Sequence, residues 1–97
     1  MACLFHLGAV VATPGALALL SRLSIAPSSL LHRHLRGDWG DLDAEDRRLN
    51  DRAVTDGSRI FSSYRVGSAG ERVWIITEAA DDFGVRHVTT ALLPEDY

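Results

Sequence analysis

The chain has 97 residues, a net charge of −3 and 46% hydrophobic content, which sets one domain with one modest core and excludes wholesale disorder. All ten cationic side chains are arginine, and the acidic balance argues against a free-standing nucleic-acid binder, which needs a basic surface to neutralise phosphates. Cys3, the one cysteine, excludes an intramolecular disulfide framework and fits a reducing cytoplasm. The N-terminus lacks the basic region of a signal peptide, and the apolar run from Leu7 to Leu20 is broken by Gly8, Pro14 and Gly15 and is too short to span a bilayer. A cytoplasmic, soluble protein is expected.

Taken in chain order, Phe5 to Ala12 reads as a strand. Thr13-Pro14 opens a helix: Thr13 can cap it, and Pro14 suits the first helical position, where its missing N–H costs nothing. That helix is expected to reach about Leu23 with Leu17, Leu20 and Leu23 inward. A second helix is expected from about Ser28 to Arg36, with Leu30, Leu31 and Leu35 inward and Gly37 as its left-handed stop. A third runs from Ala44 to Asp56, capped by Asp43 with Asp46 three residues on and closed by Gly57; its anchors are Leu49, Ala53 and Val54.

The last forty residues change character. Arg59–Val66, Arg72–Thr77 and Val85–Leu93 read as strands separated by the turns Gly67-Ser68-Ala69-Gly70 and Asp81-Asp82-Phe83-Gly84. The continuous apolar run Val73-Trp74-Ile75-Ile76 marks a central strand, with Trp74 in the core. The order β-α-α-α-β-β-β predicts an α+β fold: a three- to four-stranded, mainly antiparallel sheet with three helices packed on one face, residues 1–97 forming a single domain.

The segment His34-Leu35-Arg36-Gly37-Asp38-Trp39-Gly40-Asp41 and the residues after it stand out. Five carboxylates, Asp38, Asp41, Asp43, Glu45 and Asp46, fall within nine residues that contain no cation. In the plainer reading the later acids favour a helix N-terminus and Trp39 folds over the core beside Leu42. In the sharper reading Trp39 centres a partner-binding patch rimmed by those carboxylates, as aromatic anchors do at interfaces.

The order His34-x-x-Gly37-Asp38-Trp39-Gly40-Asp41, then Asp46 and Asn50, then Gly57-Ser58-Arg59, Ser62-Ser63-Tyr64, Trp74-Ile75-Ile76-Thr77-Glu78 and the run from Thr89 to Tyr97 resembles a group of small proteins carried on plasmids and integrated elements of proteobacteria. Members are labelled plasmid-related, and some as a type I restriction subunit. The likeness extends from Leu7-Gly8 to Tyr97, and the turn Ala79–His87 is longer than the group's pattern. It implies a mobile-element context in which small acidic proteins act against host defence, and it supplies no catalytic residues. A methyltransferase needs a nucleotide-binding βαβ domain that this pattern lacks.

Enzymatic signatures are weak. Asp41, Asp43 and Glu45 have the one-three-five spacing of a calcium loop, but Asp46 replaces its glycine and Arg52 its bidentate glutamate. His32 and His34 are two apart, so a helix turns them to different faces. His34 is expected to brace the Gly37–Asp41 turn. Ser58, Ser62 and Ser63 lack a nucleophile elbow, Cys3 lacks an activating neighbour, and the Gly67–Gly70 turn lacks the lysine of a phosphate loop. The expectation is a non-enzymatic protein without cofactor or metal. Through Asp38, Trp39, Asp41, Asp43, Glu45 and Asp46 it would bind a host protein or protein–nucleic-acid complex, such as a CRISPR effector or restriction enzyme. The alternatives are a metal-dependent enzyme using His34, Asp38 and Asp41, and a DNA-binding accessory using Arg47, Arg48 and Arg52.

Overall fold

In the computed structural model, which describes residues 3–97, strand β1 (Ala9–Ala12) is followed by helices α1 (Pro14–Arg22), α2 (Pro27–Leu35) and α3 (Ala44–Asp56). Strands β2 (Ile60–Arg65), β3 (Arg72–Thr77) and β4 (Val88–Leu92) come next, and a 3-10 turn over Pro94–Asp96 closes the described chain. The sheet order is β1-β4-β3-β2. β2 pairs with β3 and β3 with β4 antiparallel, as hairpins allow, while β1 joins β4 in parallel and makes the sheet mixed.

The helix ends follow the chemistry of their residues. Thr13 accepts from the Ala16 N–H at α1, and Asp43 accepts from the Asp46 N–H at α3. Gly57, at φ 84°, takes the left-handed position that ends α3. Pro27, not Ser28, opens α2. Leu20, Leu30 and Ala53 are buried as expected, and the rest of each apolar face differs by a residue or so. Ala16, Leu19 and Leu20 are the buried residues of α1 while Leu17 is exposed; Asn50 and Ala53 are those of α3 while Leu49 is exposed. In α2 the pair four apart, Leu30 and His34, points inward, and Leu31 and Leu35 are half-buried.

Strand register places Ile60, Ser62, Tyr64, Val73, Ile75, Thr77, Thr89 and Ala91 on one face. Leu19, Leu20 and Leu30 pack there against Tyr64, Val73, Ile75 and Ala91. A second apolar group, Phe5, Trp39, Ala53 and Ile60, continues this core under α3. The three α-helices pack on that face; on the other, Ile76 and Leu92 are still buried while Phe61 and Trp74 are only half-buried. Trp74 lies on this other face, half-buried, so it is not a core residue; an apolar run in a sheet covered on one side sends alternate residues to the open side. The strand expected from Phe5 begins only at Ala9, and that expected from Val85 begins at Val88, because Arg86 turns inward.

Candidate functional site

The Gly37–Asp41 segment is folded back onto the edge of the sheet. Gly40 forms a parallel bridge with Ser63: the Ser63 N–H donates to the Trp39 carbonyl (3.1 Å), and the Asp41 N–H donates to the Ser63 carbonyl (2.7 Å). Gly40 sits at φ 78°, and a Cβ there would collide with the Ser63 carbonyl. We expect Gly40→Ala to cost about 3 kcal/mol, from left-handed strain plus a backbone clash. Gly57→Ala, at φ 84° but with only the Ala80 Cβ nearby at 3.4 Å, should cost about 1 kcal/mol. Urea titration of the two variants checks the difference; equal costs would mean the bridge is dispensable.

That fold-back decides the fate of the acidic cluster. Trp39 is 4% exposed, stacked near Phe5 and donating its Nε1–H to Asp51 at 2.9 Å. It therefore belongs to the core and cannot anchor a partner at the surface, which corrects the sharper expectation. Asp38 accepts from Arg33 Nε at 2.6 Å and from the Gly40 N–H at 3.2 Å. The Arg33 guanidinium holds its carboxyl below the usual carboxylate range. Asp41 pairs with Arg72 at 2.7 Å and with Arg65 at 3.5 Å, and Arg72 lowers its pKa in the same way. Asp43 caps α3, and Glu45 and Asp46 stand exposed in its first turn. Of the six residues, then, Trp39 is buried, and the five carboxylates stay at the surface with separate roles. Arg47, Arg48 and Arg52 are exposed on α3 among Glu45, Asp46 and Asp51, which leaves no basic stripe for DNA.

His34 does not brace the turn; Arg33 and the Tyr64 hydroxyl, which donates to the Asp38 carbonyl at 2.6 Å, do that. His34 is completely buried, its Nδ1 2.6 Å from Ser62 Oγ and its Nε2 3.0 Å from Thr77 Oγ1. Thr77 Oγ1 is 2.7 Å from Thr89 Oγ1, which donates to the Leu7 carbonyl at 2.7 Å. Each hydroxyl has one hydrogen, so the proton order follows from the Leu7 end. Thr89 spends its hydrogen on Leu7, Thr77 donates to Thr89, His34 Nε2–H donates to Thr77, and Ser62 donates to the bare Nδ1. The ring is neutral: burial, helped by the Arg86 charge, pushes its pKa down to about 3. With both nitrogens engaged and Asp38 and Asp41 held by arginines, His34, Asp38 and Asp41 do not converge on a metal site.

Arg86 is a residue that pattern reading missed. It is 7% exposed, its Nη1 donates to the Ser58 and Glu78 carbonyls (2.9 and 3.0 Å), and its Nη2 donates to the Ala53 carbonyl (2.9 Å). The guanidinium lies 5.7 Å from the Phe5 ring centroid, and no carboxylate forms an ion pair with it among the described residues. It ties the C-terminal end of α3 to the end of β3. The only sequence signal was a lone arginine at the head of an apolar run.

One surface that remains chemically unspent is the helix-free face. Phe61 and Trp74 meet edge-to-face at 5.0 Å, and Trp74 and Tyr97 at 5.8 Å, making a partly exposed aromatic row across β2, β3 and the C-terminal turn. Arg59 closes the row by donating to the Tyr97 hydroxyl at 2.9 Å. Asp41, Leu42, Asp43, Phe61, Ser63, Arg72 and Trp74 line a shallow recess of about 480 Å³ there, and Asp46 shares a neighbouring one with Leu42 and Phe61. A groove of about 570 Å³ between α1 and the C-terminal turn is lined by the Arg22–Glu71 ion pair at 3.2 Å, by Arg72, which is paired with Asp41, and by the exposed Glu95.

These features define a two-layer α+β protein with one face of its sheet open and aromatic. Comparison with known proteins finds no matching family model, curated protein or solved structure, so function is read from the site's own chemistry. Among the described residues no helix is long and apolar enough to cross a membrane.

Proposed function

We propose that this is a non-enzymatic binding protein that acts in the cytoplasm on a host protein complex, with the helix-free face of its sheet as the working surface. The observation that carries this reading is the row Phe61–Trp74–Tyr97, partly exposed and set in a recess beside Asp41 and Asp43. Large aromatics in a partly desolvated setting with a charged rim are the composition of interface hot spots. The exposed carboxylates Glu45 and Asp46 add a negative rim that would steer a basic partner surface, of the kind that handles nucleic acid. The resemblance to mobile-element proteins supports a partner among host defence complexes, a CRISPR effector or a restriction enzyme.

The experiment is capture from host lysate with wild-type and Trp74→Ser chains as bait, read by mass spectrometry. A stoichiometric defence subunit held by wild type and depleted at least about tenfold with Trp74→Ser, the loss of a hot-spot contact, is the expected outcome. Recovery of the same subunit by both baits would remove the helix-free face from the mechanism.

A further inference from the structure

The two edges of the sheet are finished in opposite ways. At β2 the outward backbone groups of Phe61 and Ser63 are already occupied. Asn50 Nδ2 donates to the Phe61 carbonyl at 2.6 Å and its Oδ1 accepts from the Phe61 N–H at 3.1 Å, while Trp39 and Asp41 take both groups of Ser63. At β1 the inward bonds are those of Ala9 and Thr13, whose N–H groups donate to the His87 and Ala91 carbonyls, both at 2.9 Å. Alternation along a parallel strand then turns the N–H and C=O of Val10 and Ala12 away from the sheet. The edge they form reads Ala-Val-Val-Ala, with no charge and no proline inside it, so most devices that guard natural edge strands are missing. Val10 and Val11 are 46% and 48% exposed.

We propose that β1 pairs with β1 of a second copy of this chain, antiparallel about a two-fold axis at Val11, to give one continuous eight-stranded sheet. The outward groups sit at positions two apart, so Val10 faces Ala12 of the second copy and Ala12 faces its Val10. Each pair exchanges two N–H···O=C bonds, and Val11 meets its own copy across the axis in the close, non-hydrogen-bonded position. The strand that needs cover and the strand that covers it are then the same uncharged segment. The blocked β2 edge sets the stoichiometry: head-to-tail addition would need that edge, so association closes at a dimer and does not run on as a fibre. Two four-residue strands bury much less than the roughly 1,200 Å² of a standard stable interface, so the dimer forms with rising concentration.

Sedimentation equilibrium from about 5 to 500 μM tests this, a span that brackets the affinity of so small an interface. The wild-type mass should rise from the 10.6 kDa of one chain toward twice that value. Val11 is exposed on the helix-free face, so Val11→Lys and Val11→Glu should keep the wild-type circular dichroism yet stay monomeric, because like charges then meet at the axis. Mixing the two variants in equal amounts should restore the dimer by bringing opposite charges together. A wild-type chain that is monomeric throughout, a Val11→Lys chain that dimerises as wild type does, or a mixture that fails to associate would each overturn the proposal.

Discussion

Replacing Arg86 with methionine should cost about 3–5 kcal/mol, a large share of the roughly 5–15 kcal/mol that holds a domain together. Methionine fills much of the space but leaves the Ser58 and Glu78 carbonyls without the donor they have now and the Ala53 carbonyl with only the Gly57 N–H, and a buried acceptor stripped of its partner bears its full desolvation cost. The charge itself is not paired with a carboxylate; it is solvated by three backbone oxygens, one of them in the last turn of α3, where the helix dipole favours a cation. Arg86→Lys should recover only part of the loss, since an ammonium cannot span all three oxygens as the planar fork does. Urea unfolding of the three chains measures this. A methionine variant within about 1 kcal/mol of wild type, the worth of an ordinary hydrogen bond, would show that the clamp is ornamental.

The second large effect is on acid stability. The folded pKa of His34, about 3, lies below the ordinary 6.5, so below pH 6.5 the unfolded chain binds a proton that the folded chain refuses. The stability involved is complete above pH 6.5 and drains as pH falls toward 3, by about 2–3 kcal/mol at pH 4.5 and about 4–5 kcal/mol at the lower limit. Carboxylates held low by partners, Asp38 with Arg33 and Asp41 with Arg72 among them, add their own losses only at more acid pH. The interval from pH 6.5 to 5.5 therefore isolates the histidine, because the ordinary values of the partnered carboxylates, 3.8 for Asp38 and Asp41 and 4.5 for Glu71, lie at least a full unit below it. Unfolding free energy measured across it should slope for wild type and flatten for His34→Gln, whose amide can offer one donor and one acceptor to Thr77 and Ser62. Parallel slopes for the two chains would contradict the buried neutral ring.

Much of the architecture was legible because it rests on local chemistry. Asp43 and Gly57 bracket α3, Thr13-Pro14 opens α1, and the β-rich run Arg72–Thr77 is β3 to the residue. Errors arose where a residue's role depends on something distant in sequence. Trp39 admits two readings in sequence, over the core beside Leu42 or as a surface anchor, and the core reading holds because Gly40 lets the chain approach Ser63 closely enough to carry the indole under α3. Trp74 looked central, yet only the partner layers decide which face of a strand is covered. His34 reads in sequence as a turn-bracing residue because its actual partners, Ser62 and Thr77, lie 28 and 43 residues away. Hydrophobicity favours Leu17 and Leu49 over Ala16 and Asn50, but close approach to the sheet admits the small Ala16, and the Phe61 backbone selects the Asn50 amide. The parallel pairing of β1 with β4 had no local signal at all.

The candidate site divides in the same way. The acidic stretch was visible as composition, but its carboxylates turned out to have separate duties: Asp38 and Asp41 in ion pairs, Asp43 in a cap, Glu45 and Asp46 at the surface. The aromatic row on the helix-free face was invisible, since Phe61, Trp74 and Tyr97 come together only through register and the C-terminal turn.

The central claim is that this open face, and not the tryptophan turn, meets the partner. The direct measurement is the affinity of the captured partner for wild type, for Trp74→Ser and for the double variant Glu45→Gln with Asp46→Asn, titrated at two salt concentrations. The account predicts a loss of at least about tenfold for Trp74→Ser at both salts, and a smaller loss for the double variant that fades as salt rises. Wild-type affinity in Trp74→Ser, with the whole effect in the carboxylate variant, would contradict it.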